Sequence, residues 1–146
     1  MSAHRQFCTF SLDGYYFGIE VHEVQEVFLH QTMTPVPLAS PVVEGLINLR
    51  GQIVTALDLR RRLELPARPK GELPMNVVVR TGEEAVSLLV DEIGEVAEVD
   101  DAWFEAPPET LAGVARELIV GAYKLDGCLL LVLDTQHVVR AAEVEA

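Results

Sequence analysis

Three aspartates close aliphatic runs in this chain: Asp58 in IVTALD, Asp91 in VSLLVD and Asp134 in LLLVLD. Carboxylates gathered at strand ends could bind a metal cation or serve as an acid–base pair, making the chain an enzyme or small-molecule sensor. Turn and helix-cap duty explains them more simply, because Asp58 and Asp134 hold equivalent places in a repeat described below. The histidines His4, His22, His30 and His137 show neither HxxxH nor HExxH spacing, so no zinc site is expected. There is no GxSxG, phosphate loop, GxGxxG or CxxC, and no base is evident in sequence beside Ser87, Cys8 or Cys128. The pattern predicts no catalytic residue, no metal and no cofactor. Arg60-Arg61-Arg62 is a basic run, but on a short helix its side chains spread around the circumference. A solvated helix end is expected there, with favourable dipole electrostatics. Arg50, in Asn48-Leu49-Arg50-Gly51, has a different potential. A turn can present its planar guanidinium to carboxylates or carbonyls of another protein.

The elements that position these residues must fit into 146 residues, enough for one domain or two very small ones sharing a core. Hydrophobic residues make up 49% and aromatic residues only 6%, so the core must be mostly aliphatic. The longest apolar run, Cys128 to Leu133, is far shorter than the ~20 residues of a membrane helix. The N-terminal segment has no apolar stretch of the secretory kind. A cytoplasmic protein without direct membrane insertion is expected. The net charge of -12 opposes phosphate backbones and anionic lipid, so nucleic-acid binding is not expected. Cys8 and Cys128 read as reduced core thiols.

The chain repeats itself. Residues Leu118 to Asp134 align without a gap under Val42 to Asp58. Gly45 meets Gly121, Leu49 meets Leu125, Gly51 meets Gly127, and Leu57-Asp58 meets Leu133-Asp134. Upstream, Val21 to Val27 aligns with Val90 to Val96. The order of pieces is A, B, A′, B′, which predicts a duplicated domain over residues 5–141 with halves near 5–70 and 71–141. The glycines and leucines are shared between copies, whereas Arg50 faces Asp126 and Asn48 faces Lys124. Shared residues answer to the fold, and differing ones are available for function in one copy.

Alternation over Phe7 to Leu12 predicts a half-buried strand, with Asp13-Gly14 as the turn and Tyr15 to Ile19 as the return strand. Val21, Val24, Val27 and Phe28 fall at helical spacing with Glu23 and Glu26 outward, so a short amphipathic helix is plausible, and a tightly paired strand also fits. Two prolines make Thr34 to Ala39 extended. Ser40-Pro41 looks like a cap for a helical turn over Val42 to Gly45. Strands at Leu46 to Leu49 and Gln52 to Leu57 flank the Arg50-Gly51 turn, and Asp58 caps a short helix to Leu65. Residues Pro66 to Pro74 form a loop at the seam of the halves. Strands follow at Asn76 to Arg80 and Ala85 to Val90, then a loop over Ala102 to Pro108, and Asp134 starts a final helix. Short strands with frequent turns point to a mainly β protein of two small barrels packed together, with a few short helices.

At Asn48-Leu49-Arg50-Gly51, followed by Asp58-Leu59-Arg60, the chain resembles the CheW-like domain family of bacterial chemotaxis coupling proteins. Phe10-Ser-Leu-Asp-Gly with Gly18-Ile19, Val24-Gln25-Glu26-Val27 and Leu89 to Val96 extend the likeness from about Phe7 to Val139. Members often carry proline after the Arg-Gly turn, where this chain has Thr55 and Ala56. The resemblance implies two five-stranded SH3-like barrels about a shared core, and a role without chemistry. It implies two partners, a chemoreceptor cytoplasmic tip and the regulatory domain of a CheA-type histidine kinase. Those partners would place the chain at membrane-associated receptor arrays. It implies receptor contacts at Arg50, Asn48, Val24 and Glu26, with Val27 read as buried and the kinase-facing surface unassigned. A family paralogue serving another chemosensory pathway, in motility or gene regulation, would share all of these features.

Overall fold

The computed structural model describes residues 4–82, 84–108 and 113–143. The chain opens with β1 (His4–Leu12) and β2 (Tyr15–Glu20). Asp13 and Gly14 join them with φ of +49° and +82°, a primed turn whose twist suits a two-residue hairpin. A 3-10 turn, Val21–Glu23, leads into β3 (Val24–Phe28), and an extended segment then runs to β4 (Val43–Leu49) and β5 (Gln52–Asp58). Next come α1 (Leu59–Arg62), β6 (Met75–Thr81), β7 (Glu84–Val90), β8 (Glu92–Ile93) and β9 (Ala97–Asp100). A second 3-10 turn, Asp101–Trp103, precedes β10 (Phe104–Glu105), α2 (Gly113–Leu118), β11 (Ile119–Leu125), β12 (Cys128–Leu133) and α3 (Thr135–Glu143).

These strands build two sheets, each curled into a small SH3-like barrel. The first runs β3-β6-β7-β5-β4, and the second runs β10-β11-β12-β2-β1 with β8 and β9 both pairing β1. Neighbours are antiparallel except β5 beside β7 and β12 beside β2. The sheets do not divide at the seam between the sequence halves. The first barrel is one continuous stretch from β3 to β7, and the second is assembled from the two ends of the chain. A repeat of the form A, B, A′, B′ permits either grouping. Here the hairpin β6–β7 pairs with strands that precede it, and β1–β2 pairs with strands near the other terminus.

The duplication persists in atomic detail. β4 on β5 has a register shift between Val43 and Gly45, and β11 on β12 has one between Ile119 and Gly121. The amide of Asp58 donates to the Val42 carbonyl at 2.7 Å, and that of Asp134 donates to the Leu118 carbonyl at 2.8 Å. Outside β4, Thr34 bridges to Leu46, and outside β11, Glu105 pairs with Ala122. Both capping strands pass so close that a Cβ on Gly45 would stand 2.8 Å from the Thr34 oxygen, and one on Gly121 would stand 2.9 Å from the Glu105 oxygen.

The main core lies between the barrels. Phe10, Ile19, Leu131 and Leu133 from the second barrel meet Leu57, Val79 and Leu88 from the first, with Leu59 and Val138 from the helices. Each such side chain contributes about 1.5–3 kcal/mol by leaving water. Smaller apolar clusters sit in each barrel, one around Phe7, Tyr123 and Val132, the other around Ile47, Ala56 and Leu89.

Several local expectations are corrected. Of the two readings open for residues Val24–Phe28, the strand is the one formed, because they complete the outer edge of the first barrel against β6. Val27 is 42% exposed, because β3 is an outer strand whose pairing is irregular between Val24 and Glu26, which breaks the period-2 pattern. Ser40-Pro41 starts no helix. The Val43 amide donates to the Ser40 carbonyl in a turn, and β4 begins there. From Phe7 onward β1 is buried on both faces, with Phe7 and Thr9 as enclosed as Phe10 and Leu12. Cys128 is exposed and Cys8 half-buried, both free thiols.

Candidate functional site

The β4–β5 hairpin places Arg50 at its tip. Leu49 opposes Gln52 in register, so Arg50 and Gly51 alone make the turn, with φ of +52° and +87°. This is again a primed turn, and glycine suits its second position. Arginine at the first position is strained, since a Cβ is disfavoured at positive φ. Asn48 stabilises the bend, its Oδ1 accepting from the Gly51 amide at 2.9 Å. In the second copy Gly127 has φ +86°, but Asp126 is not in the left-handed region. The strain is therefore peculiar to the copy that carries arginine.

The Arg50 guanidinium pairs with the Glu26 carboxylate on β3, with side-chain exposures of 73% and 22%. β3 and β4 are the outer strands of the five-stranded sheet, so this pair links the two sides of the barrel opening. Val24 pairs with Val79, is half-buried, and packs against the main core. Arg80 also reaches β3, donating to the Gln25 side chain at 2.8 Å. Of the four residues singled out in sequence, Arg50 and Glu26 touch, Asn48 shapes the turn beneath Arg50, and Val24 anchors the strand that carries Glu26.

The three strand-end aspartates serve separate local tasks. Asp58 caps α1, accepting from the Arg60 amide at 3.0 Å. Asp134 accepts from the His137 amide and ring at the start of α3. Burial pushes its carboxyl up, but the His137 hydrogen bonds and the nearby charge outweigh this and hold it below the ordinary value. Asp91 accepts from Arg60 Nε at 2.9 Å, from Arg60 Nη2, from Arg68, and from the Asp13 amide. Arg60 is therefore not the solvated residue expected of the basic run: it is buried, and its Nη1 donates to the Pro66 carbonyl at 2.9 Å. Arg62 donates to the His137 and Val138 carbonyls of α3. The run braces α1 against its neighbours, a role that identity alone does not reveal. Among the described residues, the one group of potential metal ligands within mutual reach is Glu20, His22 and Glu23, which includes none of the three aspartates.

Residues 6–143 match the family model described as CheW-like domain. A chemotaxis protein CheW of Bacillus subtilis is 30% identical over 129 residues, covering 88% of this chain and 83% of the relative. The chemotaxis protein CheW of Treponema pallidum is 27% identical over 144 residues, covering 96% of this chain and 85% of the relative. Among solved structures, the scaffolding protein TtCheW from Thermoanaerobacter tengcongensis superposes with a TM-score of 0.81 at 26% identity, covering 90% of each chain.

Proposed function

The chain belongs to the CheW-like domain family, and from that membership we propose that it is a non-enzymatic adaptor of bacterial chemosensory signalling. In this reading it couples the cytoplasmic tip of a chemoreceptor to the regulatory domain of a CheA-type histidine kinase. The observation that carries the proposal is the breadth of the match. The family model spans residues 6–143, and relatives aligned over most of both chains are named as chemotaxis proteins. Among the described residues no helix is long and apolar enough to cross a membrane, so association with receptor arrays would come through the partners.

Arg50 is the proposed receptor contact, supported by Glu26 and Asn48, with Val24 fixing the strand behind them. A guanidinium on a tight turn, largely exposed yet paired on one side, retains donors for a partner's carboxylate or carbonyl. Strain tolerated in one copy of a duplicated turn is what a binding role would leave behind. The kinase-facing surface is not assigned. The test is a pull-down from the native cell with this chain as bait. Recovery of a chemoreceptor and a CheA-type kinase supports the adaptor role, and recovery of neither overturns it.

A further inference from the structure

The two barrels differ at one place where the repeat lets them be compared residue by residue. In the β6–β7 hairpin Asn76 opposes Leu89, and in the β1–β2 hairpin Phe7 opposes Glu20. Glu20 is thus the counterpart of Leu89, in agreement with the sequence match of Val21 to Val90. In the first barrel Leu89 packs with Ile47 and Ala56, and Met33 leans on them to close a small core. In the second barrel the matching positions are Glu20, Tyr123, Val132 and Phe104, and a cleft of about 520 Å³ opens there.

The cleft has an apolar wall and an acidic mouth. Phe104 and Val120, about half-exposed, form the accessible apolar surface, and Phe7, Tyr123 and Val132 are buried behind them. Among the described residues, four carboxylates, Glu20, Glu23, Asp101 and Asp134, line it with one guanidinium, Arg5, while His22 and His137 stand just outside beside Glu20 and Asp134. Arg5 is already committed, donating to Glu20 and to Asp101 at 2.7 Å each. Among the described residues, Glu23 accepts one hydrogen bond, from a neutral group, the Thr135 hydroxyl at 2.7 Å. The excess negative charge beside aromatic and aliphatic surface is complementary to a cation on an apolar stem. Arginine fits better than lysine, because its flat, weakly hydrated head can lie against the half-exposed Phe104 while donating in its plane. A free cation would leave Phe104 and Val120 uncovered, whereas a peptide backbone crossing the mouth would shield them.

We propose that this cleft is a second docking site, distinct from the Arg50 turn, which takes an arginine side chain from a basic segment of a partner protein. The guanidinium lies among Glu20, Glu23 and Asp101, and its stem rests on Phe104 and Val120. The replacement of Leu89 by Glu20 between copies puts a carboxylate at the edge of a small core that is packed in both barrels. This inference does not rest on the chemosensory role.

The probe is the tripeptide acetyl-Leu-Arg-Leu-amide, titrated into the full isotope-labelled chain and followed by amide shifts in NMR. Shifts should concentrate at Phe104, Tyr123 and Thr135, and weaken as salt rises. The citrulline tripeptide, equal in shape but uncharged, should bind about tenfold more weakly. Glu20→Leu should abolish the shifts, and Glu23→Gln, which keeps the hydrogen-bonding shape, should weaken them while the spectrum stays folded. Absence of localised shifts, or equal binding of the citrulline peptide, overturns the proposal. So does ethylguanidinium binding as tightly as the tripeptide, which would make the cleft a small-cation site.

Discussion

Glu26 and Arg50 stand 24 residues apart in sequence, yet their side chains pair across the gap between the outer strands of the first barrel. The pair is mostly open to water on the arginine side, so screening limits what it adds to stability, of the order of 0.5 kcal/mol. Its value lies in fixing the direction of a guanidinium that the fold itself does not require.

If Arg50 is the receptor contact proposed above, its variants should separate binding from folding. Its φ of +52° is costly for any residue with a Cβ, by about 1 kcal/mol. Arg50→Gly should match or exceed the parent in urea denaturation while weakening affinity for a receptor-tip fragment by ~1–3 kcal/mol. Arg50→Ala keeps the strain and should lose the same affinity. If Arg50→Gly loses stability as well, the side chain is a structural brace and the assignment of a contact role fails.

Glycines of the repeat should fall into two classes. Gly51 and Gly127 have open space around them and positive φ, so alanine there costs backbone strain alone, about 1 kcal/mol. Gly45 faces the Thr34 backbone, and Gly121 faces the Phe104 ring and the Glu105 carbonyl, so alanine would push these capping segments away. A penalty of ~2–3 kcal/mol is expected, with loss of the capping pair. Chemical denaturation of the four variants checks the order, and equal penalties would contradict the close approach.

Asp91 should make the fold acid-sensitive. Burial alone would push its carboxyl up, but hydrogen bonds from Arg60 and the Asp13 amide, with the charges of Arg60 and Arg68, hold it below the ordinary value. A carboxylate depressed in the folded state stabilises fully above its unfolded value near 4, and that contribution is lost as pH falls through the lower folded value. Asp91→Asn should cost ~2 kcal/mol at neutral pH, and its gap to the parent should narrow below about pH 4. A gap independent of pH would show that the carboxylate charge is not what matters.

Much of this architecture was legible because its signals are local. Asp13-Gly14 and Arg50-Gly51 mark their hairpins, and the gap-free match of Val42–Asp58 to Leu118–Asp134 survives as matched register shifts, matched Asp58 and Asp134 amide bonds and a left-handed glycine in each turn. What escaped depends on distant partners. β3 is a strand because β6 lies beside it, and its irregularity near Gln25 hides the alternation that would have announced it. The basic run conceals a buried Arg60, because Asp91 comes from another strand end. Which hairpin joins which barrel is also undetermined by a tandem repeat, since both groupings satisfy the same pattern. At the candidate site, the resemblance pointed to Arg50 and Glu26 separately, while their contact follows only from the curvature that brings β3 near the β4–β5 turn.

As the proposed adaptor, this chain should hold two proteins at once, with Arg50 serving one of them. The direct measurement mixes the chain with a chemoreceptor-tip fragment and the regulatory domain of a CheA-type kinase, and weighs the complexes formed at fixed salt. A three-component assembly is expected from the parent and from Asp126→Ala, whereas Arg50→Ala should retain the kinase domain and release the receptor fragment. Failure of the parent to hold both partners, or an Arg50→Ala assembly indistinguishable from the parent's, would contradict it.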